Sequence, residues 1–157
     1  MKKQMKSIIF ALILLLAGLH PYTNVQAQTT SYSYIEQLSD GYYATVYVEI
    51  QNPNARSSTK TASKTYEISS TSSSEIFASY KLTASFSYPY NNTAKCISAT
   101  YSTSVNDSSW SFSNCSATYS GNKAIGSFTA KRKILGITTN TIEKTLTITC
   151  DKNGTIS

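Results

Sequence analysis

The chain has 157 residues, a net charge of +6 and only 14% charged residues, with 6 Gly, 3 Pro and 3 Cys. That length holds one ordinary domain, which excludes a nucleotide-binding α/β enzyme with a second domain. The composition also excludes a collagen-like rod, a coiled coil and a highly charged disordered tail.

Lys2, Lys3 and Lys6 precede an apolar run from Ile8 to Leu19. As a helix that run spans roughly 18 Å, too short for a hydrocarbon core of about 30 Å. After His20-Pro21, the small-residue pattern Val25-Gln26-Ala27 marks a signal-peptidase site. The expectation is a signal peptide over residues 1–27 and one secreted β domain over residues 28–157. That domain is expected to be extracellular, with no membrane association after signal cleavage. Without Lys2, Lys3 and Lys6, the 130 residues 28–157 carry 11 basic and 8 acidic groups, a net charge of +3. So modest a charge argues against nucleic acid, whose phosphates demand a concentrated basic face. The only histidine, His20, leaves with the signal. With it go the Ser-His-Asp triad, the Cys-His dyad and His-bound zinc, so no metal and no cofactor are expected.

Beyond the signal, Ser, Thr and Tyr dominate, and the pattern predicts strands from end to end. A short helix near Tyr34–Leu38 is the one exception the residues admit. Tyr42 to Ile50 places Tyr42, Ala44, Val46, Val48 and Ile50 on one side. Thr61 to Ile68 follows, and Ser69 to Ser74 reads as a solvated hairpin tip. Ser79 to Tyr88 sets Tyr80, Leu82, Ala84, Phe86 and Tyr88 inward. Lys95 to Val105 groups Ile97, Ala99, Tyr101 and Val105. Trp110 to Tyr119, Lys123 to Ile134 and Asn140 to Cys150 complete the set. Ile142, Leu146 and Ile148 alternate with threonines in the last strand. Turn signals separate the runs, including Ser120-Gly121-Asn122 and Leu135-Gly136-Ile137. About seven strands with short turns predict an all-β antiparallel β-sandwich, with a barrel as the alternative.

Three cysteines in an exported chain allow one disulfide and one leftover thiol. Cys96 opens one strand and Cys150 closes another, so Cys96–Cys150 ranks first as two strand ends lying side by side. Cys96–Cys115 and Cys115–Cys150 stay open, and Cys115 reads as a buried free thiol.

Catalytic signatures are scarce. The Ser-x-x-Lys pairs Ser57–Lys60 and Ser120–Lys123 are what chance supplies in a serine-rich chain, and neither opens a helix. Glu49, Glu67 and Glu143 fall on outward strand faces, where two could meet as a glycosidase pair. Lys131-Arg132-Lys133 reads as a charged edge or hairpin end that blocks strand aggregation. Tyr43 and Tyr47 lie on the face opposite Val46 and Val48, while Tyr90 and Trp110 sit at turn or strand margins. Exposed rings beside Ser, Thr and Asn suit the stacking of a sugar. Tyr43, Tyr47 and Trp110 are therefore the candidate ligand-binding residues.

Several strings resemble a family of small, uncharacterised exported proteins of Gram-positive, clostridia-like bacteria. They include Lys60-Thr61-Ala62-Ser63-Lys64-Thr65-Tyr66, Ser108-Ser109-Trp110-Ser111-Phe112 and Thr145-Leu146-Thr147-Ile148-Thr149-Cys150-Asp151. The resemblance implies no activity and transfers no functional residue. In its pattern Cys96 and Cys150 are typical positions and Cys115 is an addition, which supports the disulfide ranking. The expected function is a secreted, non-catalytic binding or interaction domain, not an enzyme. Its extracellular partner would be a glycan, the cell wall or a protein. The alternatives are a secreted toxin, inhibitor or signalling protein, and after them a carboxylate-dependent glycoside hydrolase.

Overall fold

Apolar side chains alternating with hydroxyls carry nearly all of the described chain into strands. The computed structural model describes residues 28–39, 41–52, 58–88 and 93–157. The expected signal peptide and Tyr90 lie outside the described residues. The elements are β1 (Gln28–Gln37), β2 (Tyr42–Asn52), β3 (Thr59–Ser70), β4 (Ser73–Ser87), β5 (Lys95–Val105), β6 (Trp110–Ser120), β7 (Lys123–Ile134) and β8 (Ile137–Thr149). β1 to β5 form one sheet in sequence order and β6 to β8 a second. Every pairing is antiparallel. The architecture is the expected all-β sandwich, and the barrel alternative is not realised.

Residues 34–38 do not form the short helix. Ser31 and Ser33 alternate with Tyr32 and Tyr34, and β1 lies along β2 with Tyr34 opposite Val46 and Glu36 opposite Ala44. Cross-strand pairing overrides a weak local preference here. A second departure occurs in β5. A register shift at Ser85/Phe86 sets Cys96 opposite Phe86, so Cys96 takes the inward place and Ile97 is half exposed.

Tyr66, Ile68, Tyr80, Leu82 and Phe86 from the larger sheet meet Trp110, Phe128 and Ile148 from the smaller one. Phe128 stands at the centre. Its ring stacks on Tyr80 at 4.6 Å, tilts against Tyr66 at 5.5 Å and meets Phe112 edge-on at 5.6 Å. Such pairs add to the stabilisation from burial alone. Three inward-facing cations close one side of the sandwich. Lys64 Nζ donates to the Thr147 carbonyl of β8 at 2.8 Å, Lys60 Nζ donates to the Gly154 carbonyl, and Lys144 on β8 pairs with Glu36 on β1. Their aliphatic stems cover apolar surface while the ammonium groups reach polar partners.

Tyr80 shows how tightly the layers are held. Its hydroxyl donates to the Ser116 carbonyl at 2.6 Å, beside a bulge where β6 spends Asn114 and Cys115 without a register partner on β7. Burial is the largest influence on the phenol, with Cys115 and Tyr101 adding to it, and its pKa is pushed up to about 12 from 10.0. Tyr66 shifts in the same direction, chiefly through burial. Between pH 10 and about 12, the unfolded chain releases the Tyr80 proton while the folded chain keeps it. Stability therefore falls as pH rises through that window. Lys64, lowered by burial, works in the opposite direction with a smaller shift. In an alkaline titration, the last part of the tyrosinate absorbance, that of buried Tyr80 and Tyr66, is expected to appear together with the loss of near-ultraviolet circular dichroism. Complete tyrosinate formation well before unfolding would contradict this account.

Candidate functional surface

The outward face of the larger sheet is built from odd-numbered positions of β2 and their neighbours. One row across it reads Ser33, Tyr47, Thr65, Lys81 and Ser102, and the next reads Ser31, Glu49, Ser63, Thr83 and Thr100. A third row holds Thr29, Gln51, Thr61, Ser85 and Ser98. Period-two alternation produces this face: the same strands that bury valine and tyrosine inward turn hydroxyls outward.

Within the rows, Glu49, Gln51, Thr61, Ser63, Lys81 and Thr83 line a shallow depression. Glu49 Oε2 accepts from Ser63 Oγ at 3.2 Å and pairs with Lys81 Nζ at 3.4 Å. The hydroxyls of Thr61 and Ser85 lie 3.1 Å apart in a mutual hydrogen bond. Tyr47 stands beside the depression, two residues from Glu49, and is 42% exposed. Tyr43 lies on the same face, half-buried between Gln37 and Ser69. Four residues of strand separate the two rings by roughly 14 Å, with Thr45 between them. The face thus offers one open ring set among donors and acceptors of both charges.

Trp110 does not belong to this surface. It is 3% exposed and packs edge-on against Tyr42 at 5.5 Å. Asp107 accepts from the Trp110 backbone N–H at 2.9 Å, and the turn feeds the indole inward opposite Arg132. A strand margin is no guarantee of exposure. The alternation Trp110-Ser111-Phe112, apolar at even numbers, is the signal that points it inward.

The cysteine expectation is corrected as well. Cys96, Cys115 and Cys150 are all free thiols. Cys96 and Cys150 do sit at the same end of the fold, their backbone N–H groups donating to the carbonyls of Gly121 and Asn122. They are not on neighbouring strands, however, because β5 pairs with β4 and β8 with β7. Their Sγ atoms donate instead to the carbonyls of Ser98 and Asp151, at 3.2 and 3.5 Å. Burial raises all three thiol pKa values, which keeps them protonated and poorly nucleophilic at neutral pH.

The three glutamates do not pair. Glu49 and Glu67 share the outward face, but they lie four registers apart, roughly 14 Å along the strands. Glycosidase carboxylates stand about 5–9.5 Å apart. Glu143 faces outward from the other sheet, opposite Thr129. A different pair, Glu75 and Asp107, lines a second depression with Phe77 and Asn106. Sequence reasoning missed it because the two acids meet only through the fold. Asp107 Oδ1 accepts from the Ser109 backbone N–H at 2.8 Å, which commits it to the turn. Among the described residues, no group of three His, Cys, Asp or Glu side chains is assembled. No family model, curated protein or solved structure matches the chain.

Proposed function

We propose that residues 28–157 are a non-catalytic binding domain acting outside the cell, with the outward face of β1 to β5 as a glycan-contact surface. The exposed Tyr47 ring, embedded in a field of hydroxyl, carboxylate, amide and ammonium groups, carries this reading. A sugar presents an apolar C–H face and a rim of hydroxyls, and this surface answers both. A flat, open sheet face suits a polymer chain better than a small molecule, which needs an enclosing pocket. Export rests on the pattern of residues 1–27.

Co-sedimentation of residues 28–157 with Gram-positive cell walls and insoluble polysaccharides tests the proposal. Binding to one polymer is expected, weakened about ten-fold by Tyr47→Ala, the scale of losing one stacked ring. Tyr43→Ala should weaken it less, since that ring is half-buried. Because Tyr47 is outside the core, its alanine variant should melt close to the parent. Absence of pelleting with every polymer would overturn the glycan reading in favour of a protein partner.

A further inference from the structure

The hairpin that joins β7 to β8 is built unlike the rest of the surface. Ile134 pairs with Ile137, which leaves Leu135-Gly136 as a two-residue turn. Leu135 is 97% exposed, Ile137 70% and Ile134 43%, so three large aliphatic side chains stand together in solvent. Both turn residues have positive φ, 49° at Leu135 and 82° at Gly136. A turn of this kind is normally served by Asn or Asp before Gly, because a larger side chain strains the left-handed region. Leu135 accepts that strain and makes no compensating burial within its own chain.

Directly behind the tip stand Lys131, Arg132 and Lys133, and residues 131–142 contain no acid. Arg132 is engaged inward, donating to the Tyr42 hydroxyl and lying 5.7 Å from that ring. Lys131 and the exposed Lys133 remain as a collar. Of the two readings the sequence offered, edge or hairpin end, these charges take the hairpin end, because β7 is the central strand of its sheet. The ribbon also outruns its neighbour: β6 begins at Trp110 opposite Arg132, so Ile134 to Ile137 pair only with each other. At its base a register shift between Arg132 and Lys133 leaves Thr139 as an extra residue on β8. Bulges of this kind redirect a ribbon.

An aliphatic wedge backed by cations, on a hairpin whose own residues 131–142 include no acid, matches the interface of a lipid bilayer, where acyl chains meet phosphate. Asp107, at the hairpin base, is committed to the Ser109 backbone N–H. We infer that the β7–β8 hairpin is a membrane-contact element whose tip, Ile134, Leu135 and Ile137, seats in bilayers that contain anionic phospholipid. Lys131 and Lys133 then lie at the level of the phosphates. This departs from the expectation of no membrane contact after signal removal. It is independent of the glycan reading, since it uses a hairpin tip of the smaller sheet.

Flotation of residues 28–157, which hold both sheets and the whole described core, tests the inference with phosphatidylcholine vesicles with and without phosphatidylglycerol. Flotation is expected with the anionic vesicles and should decline with added salt. Leu135→Asn should weaken it by about ten-fold or more while the melting temperature stays equal or rises, because asparagine tolerates the left-handed region. Lys131→Gln and Lys133→Gln should each weaken it roughly five-fold, the scale for one lysine at an anionic surface. Emission from Trp110, the sole tryptophan, reports whether each variant is folded. Three results would overturn the inference: no flotation on anionic vesicles, flotation unchanged by Leu135→Asn, or a Leu135-dependent dimer by light scattering without vesicle binding. The last would assign the tip to a second copy of the chain.

Discussion

Gly126→Ala is expected to lower the unfolding free energy by about 2–3 kcal/mol, the upper range for an overpacked core site. A Cβ at Gly126 would lie 2.5 Å from the Tyr80 hydroxyl oxygen, 3.0 Å from Leu82 Cδ1 and 3.2 Å from Tyr80 Cε1. The Tyr80 ring has no room to swing aside. It is fully buried, stacked on Phe128 at 4.6 Å and on Tyr101 at 5.6 Å, and held by its hydrogen bond to Ser116. Tyr80→Phe alone should cost about 1–3 kcal/mol, since it leaves the Ser116 carbonyl without this donor. Because Tyr80→Phe also removes the atom nearest the new methyl, the double variant should cost less than the two singles together, by about 1 kcal/mol or more. Urea titrations of the four proteins measure the difference. Simple additivity would mean that the close approach of Gly126 to Tyr80 is not what limits the site.

Trp110→Ala is expected to cost still more, about 3–5 kcal/mol. A domain of this size has only about 5–15 kcal/mol in total, so the variant should melt more than about 10 °C lower. The indole fills the space beside Tyr42, whose hydroxyl in turn accepts from Arg132. Its removal opens a void and loosens the seam between the start of β6 and the end of β7. Trp110→Phe should cost less, because it also removes the buried Nε1 proton, which has no hydrogen-bond partner. Thermal melts by circular dichroism make the comparison. A Trp110→Ala protein that melted normally but lost polysaccharide binding would return this residue to the ligand surface.

Both sites mark where residue-by-residue reading succeeds and stops. Parity alone places Val46 and Val48 inward and Tyr43 and Tyr47 outward, because a strand repeats every two residues and one face must be buried. The same parity carries β4 and β8, where alternation runs unbroken over many residues. β1 is weakly marked for a physical reason: its Ser-Tyr alternation is short and carries no aliphatic residue on the inward side, and nine of its ten residues stay exposed. Its partner β2 organises it. The register shifts at Cys96, Cys115 and Thr139 leave no local signature either, and each changes which side chains face inward. How eight strands divide into five and three is a long-range choice. The Cys96–Cys150 ranking depended on it, and so did the choice between a strand edge and a hairpin end for Lys131–Lys133. The Leu135-Gly136 turn was legible, but the full exposure of its leucine was not, because a turn at a sheet end can fold onto a neighbour or project.

The uneven sheets carry a consequence for motion. Tyr32 and Tyr34 of β1 point toward the interior side, yet both remain 48% exposed, and the strand has a hydrogen-bonded partner on one flank only. β3, by contrast, is paired on both flanks and buries Tyr66 and Ile68. Opening β1 therefore sacrifices one ladder and the Glu36–Lys144 pair, whereas opening β3 dismantles the core. Detachment of β1 is thus expected to need less free energy than global unfolding, and its amide protons to exchange with solvent sooner than those of β3. Each such excursion bares the unpaired N–H and C=O groups of the β2 edge, the kind of template on which a strand of another copy pairs.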